Sequence, residues 1–139
     1  MEPALWPVFV VGAVILGLGF FVLWALAADR PDPAETALAY EEAWDRLDFD
    51  VLWRLSAPEL REGRDRAAFV AAKGALYQER ADLAGLVGRV VVDEVDLVGG
   101  HARAVTRLRL DDGTEVQNRV RLRRDGNRWS VVDYRLGDA

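Results

Sequence analysis

The sequence predicts an α+β domain, three helices followed by a four-stranded antiparallel sheet, carried behind one N-terminal transmembrane helix. Three observations carry that prediction. Residues 3–28 contain no charged side chain. Apolar residues then recur at helical spacing as far as Tyr77. From Gly88 onward the period changes to two, interrupted by glycine-containing turns.

The uncharged run PALWPVFVVGAVILGLGFFVLWALAA exceeds what a soluble core helix needs. A helix from Leu5 to Ala28 would span roughly 36 Å at ~1.5 Å per residue, enough to cross a bilayer with some tilt. The small-x-small triplet Ala25, Leu26 and Ala27 fits signal cleavage, but MEPAL carries no basic side chain and the run exceeds a signal peptide's apolar region. An uncleaved anchor is therefore expected, with Trp6 and Trp24 near the two interfaces. Residues 1–29 are assigned to this anchor, 30–34 to a short PDP-containing linker and 35–139 to the domain. Arg30 alone follows the segment closely, so charge hardly sets orientation; the architecture of a short head, one anchor and one domain suggests an extracytoplasmic domain at the cell membrane.

Net charge is -5 and the sequence pI about 4.9, which argues against nucleic acid as a partner. Cysteine is absent, which removes a disulfide framework and a thiolate zinc site. The lone His101 leaves no two-histidine metal site, and no Gly-rich phosphate loop or nucleophile elbow occurs. No metal, cofactor or catalytic residue is assigned.

Asp32, Pro33 and Glu35 supply an N-cap, a first-turn proline and a capping-box acid, and Ala37, Tyr40, Trp44 and Leu47 then fall on one helical stripe. The first helix is expected over Pro33–Leu47. Asp48 or Asp50 caps a short second helix with Val51, Leu52 and Leu55, closed by Pro58. Asp65 caps a third, whose apolar face is Phe69, Ala72, Leu76 and Tyr77.

Four strands follow, separated by Gly99-Gly100, Asp111–Gly113 and Asp125-Gly126. Keeping apolar residues opposite one another sets the register: Leu108 faces Val116, Ala104 faces Val120, Leu122 faces Trp129, Val120 faces Val131, and Val95 and Val91 lie beside Ala104 and Leu108. That register draws Asp93, Thr106, Asn118 and Asp133 into one polar row across the face meant for the core. Unpaired burial of such groups costs ~1–3 kcal/mol each. They bond one another, meet water in a hollow, or bind a ligand, with Tyr40 and Trp44 of the first helix as further pocket candidates. On the opposite face Arg103, Arg107, Arg109, Arg119, Arg121 and Arg123 gather with Val105, Val132 and Tyr134. This reads as a solvated, ion-paired face or as a partner surface, with Arg103, Arg107, Arg119, Arg121 and Tyr134 as its candidates.

The helix pattern ALAYEEAWDRLDFDVLWRLSAPELR and the closing strands VRLRRDGNRWSVVDYRL resemble the NTF2-like superfamily over residues 34–136. An anchor before such a domain is similar to actinobacterial Mce-associated membrane proteins and to VirB8-type components of type IV secretion systems. The resemblance implies a curved sheet wrapped on the first helix, a conical pocket and frequent dimerisation through the outer sheet face. It also implies loose counterparts of ketosteroid isomerase residues at Tyr40, Asp48 or Asp50, and Asn118 or Asp133. The expectation is a non-enzymatic binding or scaffolding domain in a cell-envelope complex, with a protein partner or a second copy. The alternative is a binder of a small apolar ligand, or an isomerase-like enzyme, using the polar row.

Overall fold

A computed structural model describes residues 32–137. The proposed membrane anchor lies outside the described residues, and no helix among the described residues is long and apolar enough to cross a membrane. Helix α1 spans Pro33–Asp45, α2 spans Phe49–Leu55 and α3 spans Arg66–Tyr77. Short 3-10 turns occupy Pro58–Leu60 and Ala81–Leu83. Strands β1 (Val87–Val98), β2 (His101–Leu110), β3 (Glu115–Asp125) and β4 (Arg128–Leu136) form one antiparallel sheet in the order β1-β2-β3-β4.

All three helices start where short acceptors satisfy free amides. Asp32 accepts from Ala34 N–H at 2.9 Å, Asp48 from Val51 N–H at 3.1 Å, and Asp65 from Ala68 N–H at 2.8 Å. The first helix stops short of its expected end, because Leu47 adopts a left-handed backbone with φ 52°. Asp48 N–H then donates to the Ala43 carbonyl and Leu47 N–H to that of Trp44, the paired closure usually built around glycine. Asp45 ties this end to the sheet: its carbonyl accepts from Gly85 N–H and its carboxylate from Val87 N–H.

The core lies between α1, α2 and the inner face of the sheet. Ala37, Tyr40 and Ala43 of α1 meet Leu52, Phe69, Ala104, Val120, Leu122 and Val131, all buried. Phe69 and Tyr77 of α3 pack there as expected, whereas Leu76 is 68% exposed. The expected pairings Leu108–Val116, Ala104–Val120 and Val95–Ala104 are present.

The last hairpin differs from expectation in two steps. Gly126 is the first loop residue, at φ 61°, so Asp125 is still paired, with Arg128, and Leu122 stands opposite Val131 rather than Trp129. A bulge then falls at Val132: Leu122 pairs with Val131, but Arg121 pairs with Asp133 and Val120 with Tyr134. The Val131 carbonyl is taken by Ala57 N–H at 2.7 Å, where the segment after α2 bridges to β4. A second bulge at Asp93 separates the pairs Val92–Thr106 and Glu94–Val105, so Val90 rather than Val91 faces Leu108. Each inserted residue exchanges the two faces of the strand beyond it.

Candidate functional site

The bulges change which residues meet inside. Thr106 and Asn118 occupy the inner face, at 0% and 2% exposure. Asp93 does not join them: it lies on the outer face, where Arg107 donates to it at 2.9 Å. Asp133 is also outside, 3.3 Å from Arg135 and 3.7 Å from Arg121. The expected four-residue row is thus reduced to its two central members, and Tyr134, expected outside, points inward.

What completes the cluster is Glu41 of α1, 1% exposed. Its carboxylate accepts from Thr106 Oγ1, from Asn118 Nδ2 at 3.1 and 3.2 Å, and from the Tyr134 hydroxyl at 2.6 Å. Asn118 Nδ2 also donates to the Tyr134 oxygen at 2.9 Å, and Asn118 Oδ1 accepts from Gly137 N–H at 3.0 Å. Helix and sheet are therefore joined by a closed set of charge-assisted hydrogen bonds. Sequence reasoning missed Glu41 because the Glu41-Glu42 pair looks like a solvated helix face. The available signal was its position: four residues after Ala37 and three before Trp44, on the apolar stripe.

Burial, then the negative charge of Glu41 and its hydrogen bond, push the Tyr134 hydroxyl pKa far above the ordinary tyrosine value. Burial also raises that of Tyr40, with the neighbouring Trp44 and Ser56 side chains partly offsetting it. The Tyr40 ring meets that of Tyr134 edge-on at 5.1 Å and packs in the core. The buried Trp44 Nε1–H completes no hydrogen bond among the described residues.

Beside this cluster lies a cavity of about 380 Å³ at one end of the sheet, between the C-terminal half of α1 and the ends of β2, β3 and β4. Glu41, Asn118, Tyr134, Trp44 and Tyr77 are on its wall, with aliphatic residues such as Leu47, Leu86, Leu110 and Val116 around them. The left-handed turn at Leu47 places that residue in the wall. Asp48 and Asp50, the loose counterparts of an isomerase base, are not in the wall: Asp48 caps α2 and Asp50 pairs with Arg54 and Arg66. The other face of the sheet carries a larger depression of about 830 Å³, lined by Arg103, Arg119, Arg121 and Arg135 together with Asp96 and Asp133. Cross-strand pairing there sets Asp96, Arg103, Arg121 and Asp133 in a row, acids on the outer strands and arginines on the inner ones. Among the described residues, no cluster of three or more His, Cys, Asp or Glu side chains is placed to hold a metal ion.

The antiparallel sheet packed on α1 makes an α+β fold similar to that of NTF2-like proteins. Solved structures agree at the level of fold. A putative NTF2-like transpeptidase from Campylobacter jejuni superposes with a TM-score of 0.52 at 14% identity, covering 73% of this chain and 97% of that one. A SEC-C motif containing protein from Rhodopseudomonas palustris gives 0.50 at 21% identity, covering 76% and 79%. No family model and no curated protein sequence matches the chain.

Proposed function

We propose that this chain is a membrane-tethered, non-enzymatic NTF2-like binding domain that takes a small, largely apolar molecule into the cavity beside Glu41. The observation that carries this reading is the buried carboxylate on the wall of an otherwise mainly aliphatic and aromatic hollow. Binding is favoured over acid-base catalysis because both Glu41 oxygens already accept from Thr106, Asn118 and Tyr134, and Asp45 accepts from Val87 N–H. A carboxylate so occupied is poorly placed to take a substrate proton. The uncharged run 3–28 supports the tether, and with it a place at the cell envelope.

Titration with the fluorescent apolar probe N-phenyl-1-naphthylamine tests the cavity. Val116→Trp, which fills the wall from a half-buried position, should abolish the fluorescence gain attributable to the domain while leaving the circular dichroism spectrum unchanged. An unchanged gain overturns the reading.

A second surface has its own support. The arginines of β2 and β3 form the middle of the outer face, and Arg103, Arg107, Arg119 and Arg121 are exposed. This suits a protein partner or a second copy within an envelope complex. Reversing Arg119 and Arg121 to Glu should release that partner or split the dimer; an unchanged mass and pull-down in detergent would rule it out. A C-terminal reporter that reads cytoplasmic would remove the extracytoplasmic placement.

A further inference from the structure

We infer that the cavity's ligand is an organic cation, an amine or quaternary ammonium on an apolar body. This inference rests on the cavity being a small-molecule site. Charge is the first reason. Among the described residues, those lining the cavity include the carboxylates of Glu41 and Asp45 and no Lys, Arg or His. The hydrogen-bond donors to Glu41 of α1 are the neutral side chains Thr106, Asn118 and Tyr134 of the sheet, and none of them supplies a positive charge opposite its carboxylate. In a low-dielectric pocket an uncancelled negative charge favours a cation and repels an anion far more strongly than it would in water.

The aromatic walls give an independent reason. Trp44, Tyr77 and Tyr134 all line the cavity. Trp44 and Tyr134 lie nearly parallel, 14° apart with centroids 6.5 Å apart, and Tyr77 stands 6.1 Å from Trp44. Ring faces carry negative electrostatic potential and bind ammonium groups, whose low hydration when alkylated eases transfer out of water. The leucines and valines around the cluster then accept an apolar body. A carboxylate or phosphate ligand finds no basic partner there among the described residues.

The test compares three probes of one shape on the full chain in neutral-lipid nanodiscs: benzyltrimethylammonium, its uncharged isostere neopentylbenzene, and phenylmethanesulfonate. Binding is followed through the Trp44 indole N–H resonance, assigned with Trp44→Phe. The cation should bind at least about tenfold tighter than the isostere, and the sulfonate should not bind. Glu41→Gln should reduce that preference to below about threefold. The wild-type comparison decides the matter even if that variant fails to fold. Equal binding of cation and isostere overturns the charge inference and leaves the apolar cavity standing. Preference for the sulfonate also overturns it. If none of the three moves the Trp44 resonance, the cavity itself is not a ligand site and both readings fall.

Discussion

The Tyr134 hydroxyl donates to Glu41 Oε2 at 2.6 Å, joining the last strand to the first helix across most of the domain. Tyr134→Phe removes this donor and the acceptor that Asn118 Nδ2 uses at 2.9 Å. Hydrogen bonds to charged groups contribute about 1.5–3 kcal/mol, so a loss of that order is expected in chemical denaturation. A double-mutant cycle with Glu41→Gln should show coupling above about 0.5 kcal/mol. Additive losses would mean that the contact contributes no specific energy.

Alkaline pH should weaken the fold through the same residues. Tyr134 and Tyr40 both hold their protons above the ordinary tyrosine value, chiefly because burial disfavours the phenolate. The unfolded chain releases them near pH 10, so their contribution is complete below about pH 10 and is lost as pH rises above it. Stability followed by urea melts between pH 8 and 11 should fall at the upper end, and less steeply in Tyr134→Phe.

Gly74 sits inside α3, and a Cβ added there meets nothing within 4 Å. Its backbone is helical, so Gly74→Ala should stabilise by about 0.5–1 kcal/mol, read as a higher denaturation midpoint with unchanged slope. A neutral or negative result would overturn the expectation that the site has room for a methyl group.

Deleting Val132 should cost more than shortening it but leave the inner cluster in place. Removal of the inserted residue makes the alternation along β4 regular and leaves Leu122 opposite Val131, Arg121 opposite Asp133 and Val120 opposite Tyr134, so Asp133 stays outside and Tyr134 inside. The loss is confined to the kink, where the packing of Val132 and the Ala57–Val131 bridge are disturbed, so chemical denaturation should show a cost of about 1–3 kcal/mol with cooperative melting retained; a collapse of cooperativity would overturn this. Val132→Ala, at a half-buried position, should cost under about 1 kcal/mol.

How far the sequence could be read follows from these residues. Caps at Asp32, Asp48 and Asp65 and the alternation of β2 and β3 depend on neighbours within a few positions, and they were legible. Thr106 and Asn118 were legible too, being polar residues at inward positions of regular strands. Asp93, Asp133 and Tyr134 were misplaced because each follows or forms a bulge. The Val132 bulge lies where Ala57, distant in sequence, takes the Val131 carbonyl, a contact that no local pattern announces. Glu41 lay on the right stripe but carried the wrong polarity for it. Only the three donors that fold around it make its burial tolerable.

The bulges at Asp93 on β1 and Val132 on β4, like the further register shift between Val87 and Arg89, sit on the outermost strands, while β2 and β3 pair with each other without interruption. An exposed strand edge is a template onto which another chain can zip, and a kinked edge presents its amides and carbonyls out of step. The displacement that carries Tyr134 to Glu41 therefore also blunts one flank of the sheet, as the Asp93–Arg107 ion pair accompanies the kink on the other. Crowded copies of this domain should consequently resist fibril-like growth through strand addition.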